Sequence, residues 1–197
     1  KNLREQMQFE LRQLQKSVGI TFILVTHDQT EALTMSDRVG VMFNGKVDQV
    51  ATPEQIYNKP RTKMVAAFIG NMNFFETECK GESSKTITVF HKELGNLKLL
   101  KNNIFGKDNP KITVGIRPEN LKINSKNLKK QSKSFTAKIV EKSFMGNTIL
   151  YSINLSGNNN NTYIISVSDI KNSTNPNIGD EILVTFEEED IVAYYKE

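Results

Sequence analysis

ITFILVTHDQTEALTMSDRVGVMFNG, from Ile20 to Gly45, is the stretch that decides how this chain is read. Its opening run, Ile20–Val25, is apolar and rich in β-branched and aromatic side chains, which predicts a buried strand. The carboxyl end of that strand would present Thr26, His27 and Asp28, and open α/β sheets bind their ligands at this end. Asp28-Gln-Thr-Glu31 reads as a capping box and opens a helix from about Gln29 to Met35. Asp37-Arg38 then begins a second strand, Arg38–Phe43, and Asn44-Gly45 is a hairpin signal joining it to Lys46–Ala51.

Upstream, residues 1–18 predict an amphipathic helix. Leu3, Met7, Leu11, Leu14 and Val18 recur at three- and four-residue spacing, and Gly19 is placed to stop it. Downstream, Thr52-Pro53 reads as an N-cap followed by proline at the first helical position. Pro60 ends that helix, and Thr62–Ile69 predicts another before Gly70. Beyond Gly70-Asn71 the pattern changes to strand-like runs: Phe74–Cys79, Thr86–His91, Leu97–Leu100, Ile112–Ile116, Phe135–Phe144, Thr148–Leu155, Thr162–Val167, Glu181–Phe186 and Ile191–Tyr195. Turn-rich stretches separate them, at Lys101–Lys111, Asn124–Ser134, Gly157–Asn161 and Lys171–Gly179. Many short strands with Gly/Asn turns predict an all-β barrel or sandwich.

At 197 residues the chain holds one or two small domains. Hydrophobic content is 38%, and no apolar run reaches the length needed to span a bilayer. The single cysteine, Cys79, excludes an internal disulfide framework and leaves too few thiols for a zinc site, so no metal site is expected. The net charge of +4 is unevenly spread. Lys98 to Lys142 is rich in Lys and Arg, opposed only by Asp108, Glu119 and Glu141, and the end of the chain is acidic from Glu187 to Asp190. Such runs are ordinarily solvated faces. Two other readings exist: a nucleic-acid surface of basic groove and stacking aromatics, and a polycation-sensing acidic pocket at Glu187–Asp190.

His27 is the strongest chemical candidate, because an imidazole can donate from one nitrogen while a neighbour fixes the other. The competing reading is a histidine that only caps a strand end. Asp37 and Arg38 read as structural residues at a strand start, Thr26 as a local hydrogen-bonding residue without chemistry, and His91 as an exposed surface residue. In Val114-Gly-Ile-Arg117-Pro-Glu119-Asn120, proline after Arg117 stops a strand. Arg117 and Glu119 are candidates for an ion pair or a regulatory contact.

The Ile20–Gly45 stretch resembles the switch-histidine segment of ATP-binding cassette (ABC) transporter ATPases, "VTHDQxEALxxSDRVxVMxxG". Arg117-Pro-Glu119 resembles the "xxRPExL" segment of the transport-associated OB domain that follows the motor in several importers. Phe68-Ile-Gly-Asn-Met-Asn-Phe-Phe75 is similar to the "FIGxxNxF" junction of spermidine/putrescine importer ATPases, and Ser143-Phe-Met-Gly-Asn-Thr148 to their "YxGxT" stretch. The resemblance implies an α/β remnant of an ABC ATPase domain at 1–70, followed by an all-β OB-like barrel at 71–197. It implies that His27 reaches the γ-phosphate of ATP, that Asp28 and Glu31 support the nucleotide loop, and that Leu3 and Arg4 lie near a dimer seam. It also implies ATP and Mg²⁺ as cofactors of the intact parent. The implied partners are a second copy, membrane permease subunits and a substrate-binding protein, with no nucleic acid, at the cytoplasmic face of a bacterial membrane. The alternatives are a basic OB-type nucleic-acid module, or an importer ATPase for sugar or another small solute.

No G-x-x-x-x-G-K-[ST] loop, Leu-Ser-Gly-Gly-Gln signature or apolar strand ending in Asp-Glu occurs in the sequence. With Lys rather than Met first, the chain is expected to be the carboxyl-terminal half of a longer polypeptide, inactive by itself. Its Ile20–Val25 strand would then lack a neighbour, which predicts self-association or partial disorder of residues 1–70.

Overall fold

The computed structural model describes residues 2–106, 111–123, 132–155, 158–168, 170 and 174–196, with side chains from residue 6 onward and not at residues 158–160. Leu3 and Arg4, most of the predicted 124–134 turn, and the basic positions near Lys129 lie outside the residues described at side-chain level. The chain divides into two compact units, Lys1–Gly70 and Asn71–Glu197.

Unit 1 contains helices α1 (Asn2–Val18), α2 (Gln29–Met35), α3 (Pro53–Asn58) and α4 (Lys63–Phe68), and a two-stranded hairpin of β1 (Val39–Phe43) and β2 (Lys46–Ala51). Asn44 (φ 48°) and Gly45 (φ 76°) both take positive φ, as the tight turn of a two-residue hairpin requires. Thr52 and Gln55 form a reciprocal capping box at α3, and the Thr62 hydroxyl oxygen accepts the Val65 N–H to cap α4. Val39, Val41, Ile56, Val65 and Ile69 form the small core beneath the hairpin. Buried Gln49 is satisfied on both sides: its Nε2 donates to the Lys59 carbonyl at 3.2 Å, and its Oε1 accepts the Arg61 N–H at 2.8 Å.

One expectation fails in unit 1. Ile20–Val25 forms no strand, and its side chains are open to solvent, Ile23 at 89% and Val25 at 92%. A strand needs a ladder partner, and β1 and β2 in this unit pair only with each other. The expected amphipathic helix forms as α1. Its apolar stripe, Met7, Leu11, Leu14 and Val18, faces outward, and the polar stripe makes the contacts. Hydrophobic periodicity thus predicts the helix, while this unit supplies no layer to cover its apolar stripe.

Unit 2 is built from two sheets around one core. The first has the order β5 (Gly95–Leu100), β4 (Thr86–His91), β3 (Asn73–Glu82), β7 (Lys111–Ile116), β13 (Val192–Tyr195), β6 (Ile104–Phe105). The second runs β11 (Asn158–Val167), β10 (Ile149–Leu155), β9 (Ser132–Phe144), β12 (Glu181–Glu187), β8 (Lys122–Ile123). Every pairing is antiparallel except β13 with β6. The two half-barrels form the expected OB-like fold. Phe75 of β3 and Tyr163 of β11 stack across the core with centroids 4.4 Å apart and planes 4° apart. The strands β6 and β8 were not foreseen, because two-residue strands carry no periodicity to detect.

His91 is a correction. Its side chain is 13% exposed, edge-on to Phe75, and its Nδ1 accepts the N–H groups of Glu93 and Leu94 at 3.3 and 3.4 Å. It therefore caps the β4–β5 turn. Nδ1 also lies 3.3 Å from Glu93 Oε2, but a nitrogen that accepts two N–H groups carries no proton of its own. Burial pushes the imidazole below its ordinary value, and Glu93 opposes that shift. The unfolded chain therefore binds this proton more readily than the fold does. The contribution is whole above the unfolded pKa and is lost as pH falls through it toward the lower folded value. Unit 2 is expected to lose melting temperature between about pH 7.5 and about pH 5.5, and His91→Asn to lose less over that window. Equal losses in both proteins would assign the acid sensitivity elsewhere.

Candidate functional site

The loop bearing His27 is fixed on both sides. The Asp28 side chain caps α2 by accepting the N–H groups of Thr30 (2.8 Å) and Glu31 (3.1 Å). The return half of the expected capping box runs through Thr26. The Asp28 N–H donates to Thr26 Oγ1 at 2.9 Å, and that hydroxyl donates to Glu31 Oε2 at 2.6 Å. Thr26 thus links the two residues expected to support the loop, a role its local hydrogen bonding alone did not reveal in the sequence. Between these anchors the His27 side chain is exposed and makes no hydrogen bond among the described residues. The imidazole thus stands exposed on a braced backbone. Asp37 lies 3.6 Å from Arg12 Nη2, so it serves as a local anchor. At the far end of unit 1, the Gly70 N–H donates to Gln29 Oε1 at 2.9 Å, fastening α2 from its first residue.

In unit 2 the structure joins two motifs that lie far apart in sequence. Phe74 and Asn73 of the junction segment register opposite Gly115 and Ile116. Arg117, 4% exposed, donates from Nη1 to the Asn71 carbonyl at 2.9 Å. A Cβ at Gly115 would meet Met72 and Val192 side chains at 3.1 Å, so a larger residue there would press both aside by a few tenths of an ångström. Buried Tyr194 nearby has its phenol pushed up by desolvation, with the Arg117 charge acting against that shift. Arg117 is therefore placed as an internal clamp, and Glu119 stands exposed on the turn that follows.

The acidic run is committed to the fold. Glu187 accepts the Ser132 hydroxyl at 2.8 Å, and Glu188 accepts the Lys98 N–H at 2.9 Å while lying 3.5 Å from Lys133. Lys142 donates to the Pro176 carbonyl and lies over the Tyr151 ring. Phe135 is 4% exposed and belongs to the core, so it offers no base a stacking surface. These placements favour neither the polycation pocket nor the nucleic-acid groove.

The geometry gives a class of its own: an OB-like β unit and, ahead of it in the chain, a braced loop bearing an exposed histidine. Residues 114–193 match the TOBE domain. The chain is a relative of the import ATP-binding proteins. It is 36% identical over 176 residues to the spermidine/putrescine import ATP-binding protein PotA of Mannheimia succiniciproducens, covering 89% of this chain and 46% of that protein. It is 40% identical over 157 residues to the PotA of Roseobacter denitrificans, covering 79% and 42%. To the PotA of Haemophilus ducreyi it is 36% identical over 197 residues, covering 94% and 50%. The chain spans about half the length of the curated relatives it matches. Among solved structures, the cytoplasmic molybdate-binding protein ModG, with molybdate bound, gives a TM-score of 0.46 at 9% identity, over 63% of this chain and 96% of that one.

Proposed function

We propose that this chain is the switch-histidine and TOBE portion of the ATP-hydrolysing subunit of an ABC importer whose cargo is a polyamine. The observation that carries the reading is the kinship with spermidine/putrescine import ATP-binding proteins through both units. The braced, outward-facing His27 supports it. His27 would donate to a γ-phosphate oxygen and position the attacking water, because phosphoryl transfer depends on positioning and charge stabilisation. Asp28, Glu31 and Thr26 would hold its backbone. The exposed imidazole fits the terminal phosphate of ATP, and ATP supplies the phosphoryl group whose transfer drives transport. No group of three His, Cys, Asp or Glu able to hold a metal occurs among the described residues. The His27 loop would be this chain's part in meeting Mg²⁺–ATP.

Two such subunits would sandwich the nucleotide and couple to membrane permease subunits, served by a substrate-binding protein. The TOBE unit would contribute to the homodimer, and the exposed turn at Glu119 would make a regulatory contact. No helix among the described residues is long and apolar enough to cross a membrane. A peripheral position on the cytoplasmic face follows from the importer reading. Nucleic acid has no place in it.

The test is uptake of labelled spermidine by cells whose importer depends on a complete subunit carrying this sequence. Unlabelled spermidine and putrescine are expected to compete, and maltose is not. Uptake of a sugar instead would refute the polyamine assignment. The chain alone, titrated with a fluorescent ATP analogue and Mg²⁺, is expected to show no saturable binding. Micromolar affinity would move the nucleotide site onto these residues.

A further inference from the structure

One polar face of α1 grips the segment that carries His27. Gln8, Arg12 and Gln15 stand one and two turns apart along that face. Gln8 Nε2 donates to Glu31 Oε1 at 3.0 Å. Arg12 Nη1 donates to the Thr34 carbonyl, and its Nη2 lies 3.6 Å from Asp37. Gln15 Nε2 donates to the Ile20 carbonyl at 2.9 Å. The helix therefore touches both ends of α2 and the entry to the loop.

At Glu31 this grip meets the brace described above. One carboxylate oxygen accepts from Gln8, and the other accepts from Thr26, whose hydroxyl oxygen receives the Asp28 N–H. An unbroken series of hydrogen bonds thus runs from α1 to the residues on either side of His27. The outward-facing apolar stripe of α1 contributes little to holding it against α2. These polar bonds set how the two helices register.

We propose that Gln8 and Thr26 are positioning residues for His27, through which α1 fixes the backbone that carries the imidazole. The proposal deepens the reading of His27 as the phosphate-facing group, and in that respect rests on it. Displacement of α1 would be transmitted to the histidine through Glu31, without contact between α1 and the nucleotide.

The test uses the 197-residue chain with labelled histidine, reading the His27 ring resonances and the exchange rate of the Asp28 amide. Thr26→Val is expected to speed Asp28 exchange about fivefold or more, the scale of one lost hydrogen bond. It is also expected to shift the His27 ring signals. Gln8→Ala should shift the same ring signals, and the double variant should go little further than Thr26→Val, because the residues act in one series. Thr26→Ser should restore both readouts, and resonances of unit 2 should stay in place. His27 signals unchanged in Thr26→Val and Gln8→Ala would overturn the proposal, as would Thr26→Ser behaving like valine. The phosphate role fails on a different observation, hydrolysis by the complete subunit surviving His27→Ala, an outcome independent of the ring shifts read in Thr26→Val and Gln8→Ala.

Discussion

Asn73→Leu is expected to destabilise unit 2 by about 2–4 kcal/mol, on the order of 10 °C in melting temperature for a domain of this size. Asn73 is 5% exposed, at the first position of β3. Its side-chain amide imitates a neighbouring strand: Nδ2 donates to the Ile164 carbonyl at 2.7 Å, and Oδ1 accepts the Ile164 N–H at 2.7 Å. Ile164 belongs to β11, the edge of the second sheet, so these bonds close one seam between the half-barrels and satisfy groups an edge strand leaves open. Leucine keeps the volume and removes both partners, leaving a donor and an acceptor desolvated together. Asn73→Asp would keep the acceptor and set a negative charge against the Ile164 carbonyl, so it too should destabilise. Denaturant unfolding of unit 2 fluorescence or dichroism reads the effect. A midpoint shift below about 0.5 kcal/mol for leucine, the level of an ordinary surface change, would mean the seam is held by the Phe75–Tyr163 stack without Asn73.

An acid covers part of another sheet edge. Glu188 accepts the Lys98 N–H on the edge strand β5. What the sequence displays as a charge run is partly a device for covering a sheet edge. This explains why the acidic cluster could be noticed in the sequence while its use could not: the partner lies ninety residues away and carries no pattern of its own.

The same distinction separates what was legible from what was not. Local chemistry was read well where a backbone conformation demands particular residues: the Asn44-Gly45 hairpin, the Thr52 cap with Pro53 behind it, the Asp28 cap, and the strand β4 at Thr86–His91. The kinship with importer ATPases and the OB-like fold were also legible, from motifs rather than from periodicity. Ile20–Val25 was misread because strand formation is decided by neighbours, and no strand lies beside it in this unit. His91 was misread because its turn-capping bonds depend on the imidazole folding back over Glu93 and Leu94. Neither residue type at those positions signals that. The Thr26 relay and the inward polar face of α1 were hidden for a related reason. Hydrogen bonds between side chains on different elements leave no spacing in the sequence to detect.

His27→Ala is expected to lower ATP hydrolysis by the complete subunit by about 10²–10³-fold, the scale of removing one preorganised donor from a charge-developing site. Two features of the loop make this a clean experiment. The His27 side chain is exposed and makes no hydrogen bond among the described residues, so its removal should change the stability of this chain by less than about 0.5 kcal/mol. The backbone that carries it is held by Asp28, Thr26 and Glu31, all of which the substitution leaves intact. A loss of turnover with unchanged melting and nearly unchanged nucleotide affinity would therefore assign the deficit to the transition state rather than to binding or folding. Asp28→Ala offers the contrast. It removes a helix cap at a cost of about 1 kcal/mol, so it should weaken α2 and reduce turnover through misplacement, and restoring the cap with Asn should recover most of both. If His27→Ala turned over at the wild-type rate, the braced loop would be a structural anchor, and the phosphate-facing role would have to be withdrawn.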